Sequence, residues 1–416
     1  MSTDNPMPPT SPQSEPGGTP AKDDPEEKTR IPDARFGKVT RWVCSVTVLF
    51  VVIAAVPCWN RMRDSAVAQC LLDCRAAQQD GDWQVLQEAA DRWLWWQSRH
   101  GQALVFRALA SEQTGQLEEA VRFLERIPDD DEFMLAGRTA QIDILLLQLN
   151  RPSQAEVACQ RILNIDPAAT PAQLRLIHIY STTLQHEKLR EVIRGAIASR
   201  AEPKEAWPVL FQLDQLLPSS GYATVTRWKI EEPELESLIV AQAIYANEQR
   251  RANRQEPREH LAQAVARFPE NRDLLAYRIE VALIDYEVEL AASLLETAPE
   301  SALQDPRFWR FKASVHEDRD EIELAVSAVN KSLELYPLGW RSQKILAGLL
   351  RRRGDQDNAT RLSRQSTEGK HIEDALNSLL ESKDWLTVPD LPGQMVKFAR
   401  LSGDRDAEYL GERTMN

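Results

Sequence analysis

The sequence predicts an all-α protein: a right-handed α-solenoid of helix-turn-helix repeats, preceded by one transmembrane helix and a disordered N-terminal tail. Three observations lead to this prediction. Residues 1–40 are rich in proline, residues 41–61 hold a long uncharged run, and small residues and turn residues recur every 34 positions further along. A chain of 416 residues is longer than one compact core usually requires, as expected for an extended array of repeats.

The segment 1–40 consists mainly of proline and polar residues, and Phe36 is its only aromatic residue. A segment of this composition buries too little apolar surface to offset the entropy lost on ordering. Residues 1–40 are therefore predicted to be a disordered, proline-rich tail.

The uncharged run from Trp42 to Trp59 favours a helix that crosses a lipid bilayer. At about 1.5 Å of rise per residue, the run is close to the thickness of the hydrocarbon layer. It lacks the polar face of a globular surface helix, and tryptophans stand at both of its ends, where interfacial aromatics are expected. Arg41 and Arg61 can extend to the headgroups. We therefore predict a transmembrane helix over residues 41–61, with residues 42–59 in contact with lipid.

A cleaved signal peptide is the main alternative, and it would give a secreted soluble protein. The region before the apolar run is long, proline-rich and partly acidic, unlike the short basic start of a signal peptide. The small-residue site at 66–68 is separated from the run by charged residues, and a lipid at Cys58 is disfavoured because Pro57 precedes it. The sequence therefore favours a retained anchor.

Basic residues are more numerous before the predicted span than after it, and this excess predicts its orientation. Positive charge accumulates on the cytoplasmic side of membrane helices. The tail is thus expected in the cytoplasm of a cell-membrane protein with a single span, and the repeats outside it. The basic residues are Lys28, Arg30, Arg35, Lys38 and Arg41 on the N-terminal side, and Arg61, Arg63 and Arg75 on the other.

Beyond the span, the chain is rich in helix-forming residues and repeats itself at a fixed interval. The spacing from Ala155 to Pro167 also recurs from Ala325 to Pro337. An interval of about 34 residues is typical of a pair of helices that stacks on its neighbours. The positions that recur at this interval are Gly81 and Gly115, Asp320 and Gly354, Ala313 and Ala347, and Ala291, Ala325 and Ala359.

This pattern resembles the tetratricopeptide repeat (TPR) family, and the unit that matches best is 306–339. Trp309 and Ala313 stand at the large and small positions of its first helix. Ala325 stands at the small position of its second helix, and Pro337 follows that helix, which it cannot continue. The resemblance implies a membrane-anchored member of this family.

The resemblance implies a TPR-like array over residues 62–373 and a C-terminal helical pair or cap over residues 374–416. The stretch from Leu216 to Glu234 departs from the pattern. The regularity of the repeats between 204 and 271 therefore stays open.

The composition argues against nucleic-acid binding, because the formal net charge is −13 and such binding depends on neutralising phosphates. The sequence contains no P-loop, dinucleotide-binding, zinc-protease or nucleophile-elbow motif. Its histidines are dispersed, and its five cysteines are too few and too irregularly spaced for a disulfide framework or a zinc site. We expect no catalysis, no cofactor and no metal.

Four basic residues form the candidate partner-binding site. Arg307 and Arg310 fall on the first helix of one repeat, and Arg341 and Lys344 stand one repeat interval further on. In the TPR family the first helices line the groove, so stacking would align these side chains. Arginine and lysine hold carboxylates through charge-assisted hydrogen bonds. A solvated helix face that pairs with Glu and Asp is the plainer interpretation.

The sequence thus predicts a single-pass, membrane-anchored scaffold whose groove binds another protein or a peptide. The alternatives are a non-catalytic accessory subunit of an envelope enzyme or export complex, and a secreted soluble repeat protein. The partner, the pathway and the oligomeric state are not determined by the sequence.

Overall fold

A computed structural model describes residues 36–200, 206–214, 221–253, 259–379 and 388–415. Side chains are described from residue 56 to residue 413 within these ranges, except at residue 379. The predicted disordered tail lies almost wholly outside them. The chain divides into two compact units, Met1–Ser65 and Ala66–Asn416.

Every regular element in the described ranges is a helix. The part of the chain up to residue 231 contains α1 (Phe36–Asp80), α2 (Trp83–Trp96), α3 (Gly101–Gln113), α4 (Leu117–Glu125), α5 (Met134–Asp143), a π-helix (Ile144–Gln148), α6 (Pro152–Ile165), α7 (Thr170–Thr182), α8 (His186–Ala198), α9 (Ala206–Leu210) and α10 (Gly221–Glu231).

The rest of the chain continues in the same way. It contains α11 (Glu236–Ala252), α12 (Glu259–Arg267), α13 (Arg272–Ile284), α14 (Val288–Glu296), a 3₁₀-helix (Glu300–Gln304), α15 (Pro306–Asp318), α16 (Ile322–Leu335), α17 (Trp340–Arg352), α18 (Gln356–Leu379), α19 (Leu391–Ser402) and α20 (Arg405–Met415).

Within the second unit, helices pack chiefly against their neighbours in sequence, and alternate helices touch as well. Thus α3 contacts α5 and α5 contacts α7, while α11, α13, α15 and α17 form a second such series. This is the arrangement of helix pairs stacked side by side, in which each pair buries its apolar face against the next. The predicted all-α, TPR-like array is therefore present as a fold.

The repeat interval appears in the backbone as a left-handed turn between the two helices of a pair. In most pairs, the amide after the turn residue donates to a carbonyl five residues earlier, as Asp82 does to Ala77 at 2.9 Å. This hydrogen bond satisfies a carbonyl at the end of the helix. Four non-glycine residues adopt the same conformation as the glycines. The packing of the array, and not the residue type, therefore determines this left-handed conformation. The turn residues are Gly81, Gly115, Asn150, Leu184, Tyr286, Asp320 and Gly354.

The π-helix Ile144–Gln148 explains the one irregular interval of the first half. From Gly115 to Asn150 the interval between turn residues is one residue longer than from Gly81 to Gly115. A π-turn takes up one extra residue without breaking the helix. The amide of Leu149 accordingly donates to the carbonyl of Ile144, five residues back, at 2.9 Å.

The small residues that predicted close helix crossings are buried. Ala291, Ala313 and Ala325 have no exposed surface, and Ala347 and Ala359 have almost none. A larger side chain at these positions would force the helices apart.

Several ion pairs join adjacent repeats. Their partners lie about one repeat interval apart in the chain, so each pair connects one repeat to the next. Examples are Arg161–Asp129, Arg251–Asp285 and Arg307–Asp273, all at 2.7 Å.

Among the helices that the structure describes, none is both long enough and apolar enough to cross a membrane. The predicted span, 41–61, lies within α1, and the side chains up to residue 55 are outside the described part. The membrane anchor therefore stays a prediction.

Candidate binding groove

A cavity of about 930 Å³ opens between α11, α13, α15, α17 and α18. Helices α13, α15 and α17 are the first helices of successive pairs and contact one another in series. Residues one repeat interval apart on these helices therefore face the same space. Basic side chains (Arg310, Arg341, Lys344, Arg351 and Lys370) outnumber the acidic ones (Glu248, Glu280 and Glu317) in its lining.

Three of the four predicted site residues line this cavity: Arg310, Arg341 and Lys344. Arg310 and Lys344 occupy equivalent positions of α15 and α17, as the repeat interval predicts. Their environments differ, because Arg310 is buried and Lys344 is exposed. The spacing predicts equivalent positions for these two residues but does not distinguish their environments.

Lys344 is the most accessible cation of the predicted set. Within the described residues, no carboxylate forms an ion pair with it. Lys370 and Arg351 are also exposed in the lining, and they contact Asp374 and the Ser363 hydroxyl, respectively. The open side of the cavity thus presents a lysine that is available to a ligand carboxylate.

Arg341 is held in place by α18, the second helix of its own pair. Its guanidinium group donates to both carboxylate oxygens of Glu373, at 2.8 and 2.9 Å. The Trp340 indole donates to the same carboxylate at 3.0 Å. Burial lowers the pKa of Arg341, but Glu373 outweighs that effect and the net shift is upward. Arg341 therefore supplies a fixed positive charge at one wall.

Arg307 does not belong to this cavity lining. Its guanidinium group contacts Asp305 at 2.6 Å and Asp273 at 2.7 Å, and the side chain is almost wholly buried. Burial alone would raise the pKa of Asp305, yet Arg307 brings it well below its usual range. The role of Arg307 in this structure is to join the start of α15 to α13.

The acidic lining residue Glu317 has few compensating partners. Burial raises the pKa of this half-buried carboxyl group, and Arg352 opposes the shift only in part. Glu317 lies on α15, two turns from Arg310, and Glu280 contacts Arg310 at 3.4 Å. Acidic side chains are therefore interspersed among the basic ones in this lining.

A segment of the chain itself, residues 206–214, lies against the C-terminal helices and was not anticipated from the sequence. The Trp207 indole donates to the carbonyl of Ala407 at 2.9 Å and is fully buried. Phe211 packs against Phe398 with ring centroids 6.2 Å apart. Asp214 approaches Arg310, with 3.9 Å between Oδ2 and Nε. The inner side of these repeats is thus filled by the chain's own residues.

The described residues contain no cluster of three or more His, Cys, Asp or Glu that could hold a metal ion. Cys70 and Cys74 are buried, and burial raises the pKa of the Cys74 thiol to about 12. Such a thiol is a packing residue and not a reactive one.

Comparison with known proteins finds solved structures that resemble the chain, with low sequence identity and low TM-scores. No protein-family model matches the chain, and no curated protein matches it either. The chain resembles the solved structures of yeast Tom70 (14% identity, 84% of this chain and 88% of that one, TM-score 0.30) and of the Cut9–Hcn1 hetero-tetramer of APC/C (13%, 84% and 76%, 0.32). It also resembles the P58(IPK) TPR domain (12%, 82% and 99%, 0.25).

These TM-scores are too low to support an argument about function. The class of protein is defined by the chain's own helices, which form an array of stacked pairs with a groove on one side.

Proposed function

We propose that this protein is a non-catalytic scaffold whose C-terminal groove binds an acidic segment of another polypeptide. The observation that carries the proposal is the exposed Lys344, which forms no ion pair with the described residues and stands in a cavity with a cationic lining. The chain as a whole carries a net charge of −13, so a basic lining is unusual for its surface. Complementary charge favours an acidic partner and excludes a basic one.

The cavity also has the chemical variety that a polypeptide ligand needs. Val281, Ile284 and Ile345 supply apolar surface, and Tyr277 and Trp340 supply aromatic surface. Ligand sites commonly combine an apolar lining with a few placed polar groups. The same lining offers no nucleophile paired with a base, so binding is favoured over catalysis.

We also propose that residues 41–61 tether the scaffold to the cell membrane, with the tail inside and the array outside. The apolar run and the excess of basic residues before it support this proposal. Mass measurement of the protein from the membrane fraction tests it. We expect the intact chain, and a mature chain that has lost the tail and the apolar run would contradict the tether.

A charge reversal at Lys344 tests the groove. The probe is a fluorescein-labelled peptide of eight glutamates, and the readout is its anisotropy with the full chain in detergent. Lys344→Glu is expected to weaken binding, because it removes an attraction and adds a repulsion.

Lys331→Glu is the matched control, since it makes the same charge change at an exposed residue of α16 outside the cavity. Arg310 is a poor choice for such a reversal. Its guanidinium group is buried, so the change would destabilise the fold itself.

A further inference from the structure

The two arginines on α15 differ sharply in how their buried charges are satisfied. Arg307 makes close hydrogen bonds to two carboxylates. Arg310 is equally buried, at 7% exposure, yet its Nε and Nη2 atoms form no hydrogen bond with the described residues. Among those residues, the guanidinium group makes one hydrogen bond, from Nη1 to Glu280, and it is long at 3.4 Å. Arg310 thus holds unused donors beside the cavity.

Besides Glu280, whose Oε1 lies 3.4 Å from Nη1, Asp214 is the other described carboxylate that approaches the guanidinium group of Arg310. Its Oδ2 lies 3.9 Å from Arg310 Nε, and this oxygen also lacks a hydrogen-bond partner among the described residues. Asp214 is buried as well, at 5% exposure. A buried acceptor and a buried donor face each other without bonding, and each loses the hydrogen bonds that water would give it.

The surroundings of Asp214 are those of an anion site. A Cβ placed on Gly339 would lie 3.5 Å from Asp214 Oδ2, and Gly339 is the N-cap of α17. The free amides and the dipole at a helix N-terminus favour a negative charge. Arg341, the second residue of α17, also interacts electrostatically with Asp214. Arg190 interacts with Asp214 in the same way, so three arginines and one helix end lie near this carboxylate.

We infer that Asp214 is an internal competitor at the binding groove: it holds Arg310 loosely, and a carboxylate of the acidic partner displaces it. This inference rests on the proposed function. Because Arg310 also lines the cavity, a ligand carboxylate there offers the guanidinium group a partner that can take the place of Asp214 beside Glu280. A tight internal pair, such as that of Arg307, would leave no donor for a ligand.

Asp214→Asn tests the inference with the octaglutamate peptide and the full chain. The change keeps the shape of the side chain and removes its charge. We expect the peptide to bind about fivefold more tightly, because the internal competitor is weakened. The matched control is Asp129→Asn, which makes the same charge change beside a separate cavity in the N-terminal half. The control is expected to stay within about twofold of the wild-type affinity.

The outcomes separate this inference from the proposed function. One outcome refutes the internal competitor and still supports binding in the groove: the wild type binds the peptide, Lys344→Glu weakens binding, and Asp214→Asn leaves the affinity unchanged. If neither the wild type nor Asp214→Asn binds the peptide, both fail.

A second measurement on the wild-type chain does not depend on the variant folding. Peptide binding is expected to speed amide hydrogen exchange in residues 209–214, because displacement of Asp214 loosens this segment. Unchanged or slower exchange at saturating peptide would overturn the inference.

Discussion

At the scale of single residues, the left-handed turn shows how one position sets the junction between two helices. Gly115 adopts a φ of 78°, and a Cβ built on it would meet no atom within 4 Å. A side chain at this position would therefore lower stability only because the backbone conformation disfavours it, and not through a steric clash. Tyr286 and Leu184 occupy the same conformation, so the packing of the array imposes the turn even where the residue disfavours it.

Gly115→Ala is expected to lower the free energy of unfolding by about 1 kcal/mol, because alanine resists a positive φ. Denaturant unfolding of the full chain measures the change. Gly195→Ala is the matched control: Gly195 lies inside α8 without a positive φ, and a Cβ there also meets nothing. There alanine should raise stability by about 0.5–1 kcal/mol. Equal effects at the two sites would refute the turn argument.

The arginines of α15 show what residue-level pattern reading misses. Arg307 and Arg310 look alike in sequence, and their spacing placed both on a ligand face. Their roles differ because Asp305 and Asp273 saturate Arg307, whereas Asp214 barely reaches Arg310. Asp273 and Asp214 lie on other elements, far from α15 in the chain, and no local pattern identifies them.

At the scale of elements, the sequence predicts regular pairs well and their irregularities poorly. The helix crossings at Ala291, Ala313 and Ala325 follow from small residues at a fixed interval. The π-helix does not, because an inserted residue leaves no composition signal. The short α9 has a proline inside it, Pro208, and depends on long-range contacts with α20 that the interval cannot show.

Deletion of Leu147 tests the account of the π-helix. Leu147 is exposed and lies inside the five-residue π segment. Its removal should restore regular α-helical spacing at a loss of less than about 1 kcal/mol of unfolding free energy.

Deletion of Leu324 is the control for that experiment. Leu324 is exposed on the regular helix α16. Its deletion would rotate the residues that follow it in the helix, so that apolar side chains leave the buried face. We expect the free energy of unfolding to fall by more than about 3 kcal/mol. A comparable loss for the two deletions in denaturant unfolding would contradict the account.

At the scale of the whole molecule, the described array joins distant parts of the chain within its second unit. Residues 206–214 contact α15, α19 and α20, and Arg194 donates to the carbonyl of Leu335 at 3.2 Å. The groove predicted from the sequence is therefore partly filled from within. What stays open is the cavity on the side of Lys344, where the cationic lining faces outward.

If the groove binds an acidic ligand, reversing the charge of Lys344 should weaken octaglutamate binding more than the same change at Lys331. At low salt, where charge interactions are least screened, Lys344→Glu should weaken octaglutamate binding by about fivefold, as expected for reversing one exposed charge. Lys331→Glu should stay within about twofold of the wild type. The ratio of these two dissociation constants is the most direct measurement of the central claim. A ratio near one would show that the cavity between α13, α15 and α17 does not bind the acidic ligand.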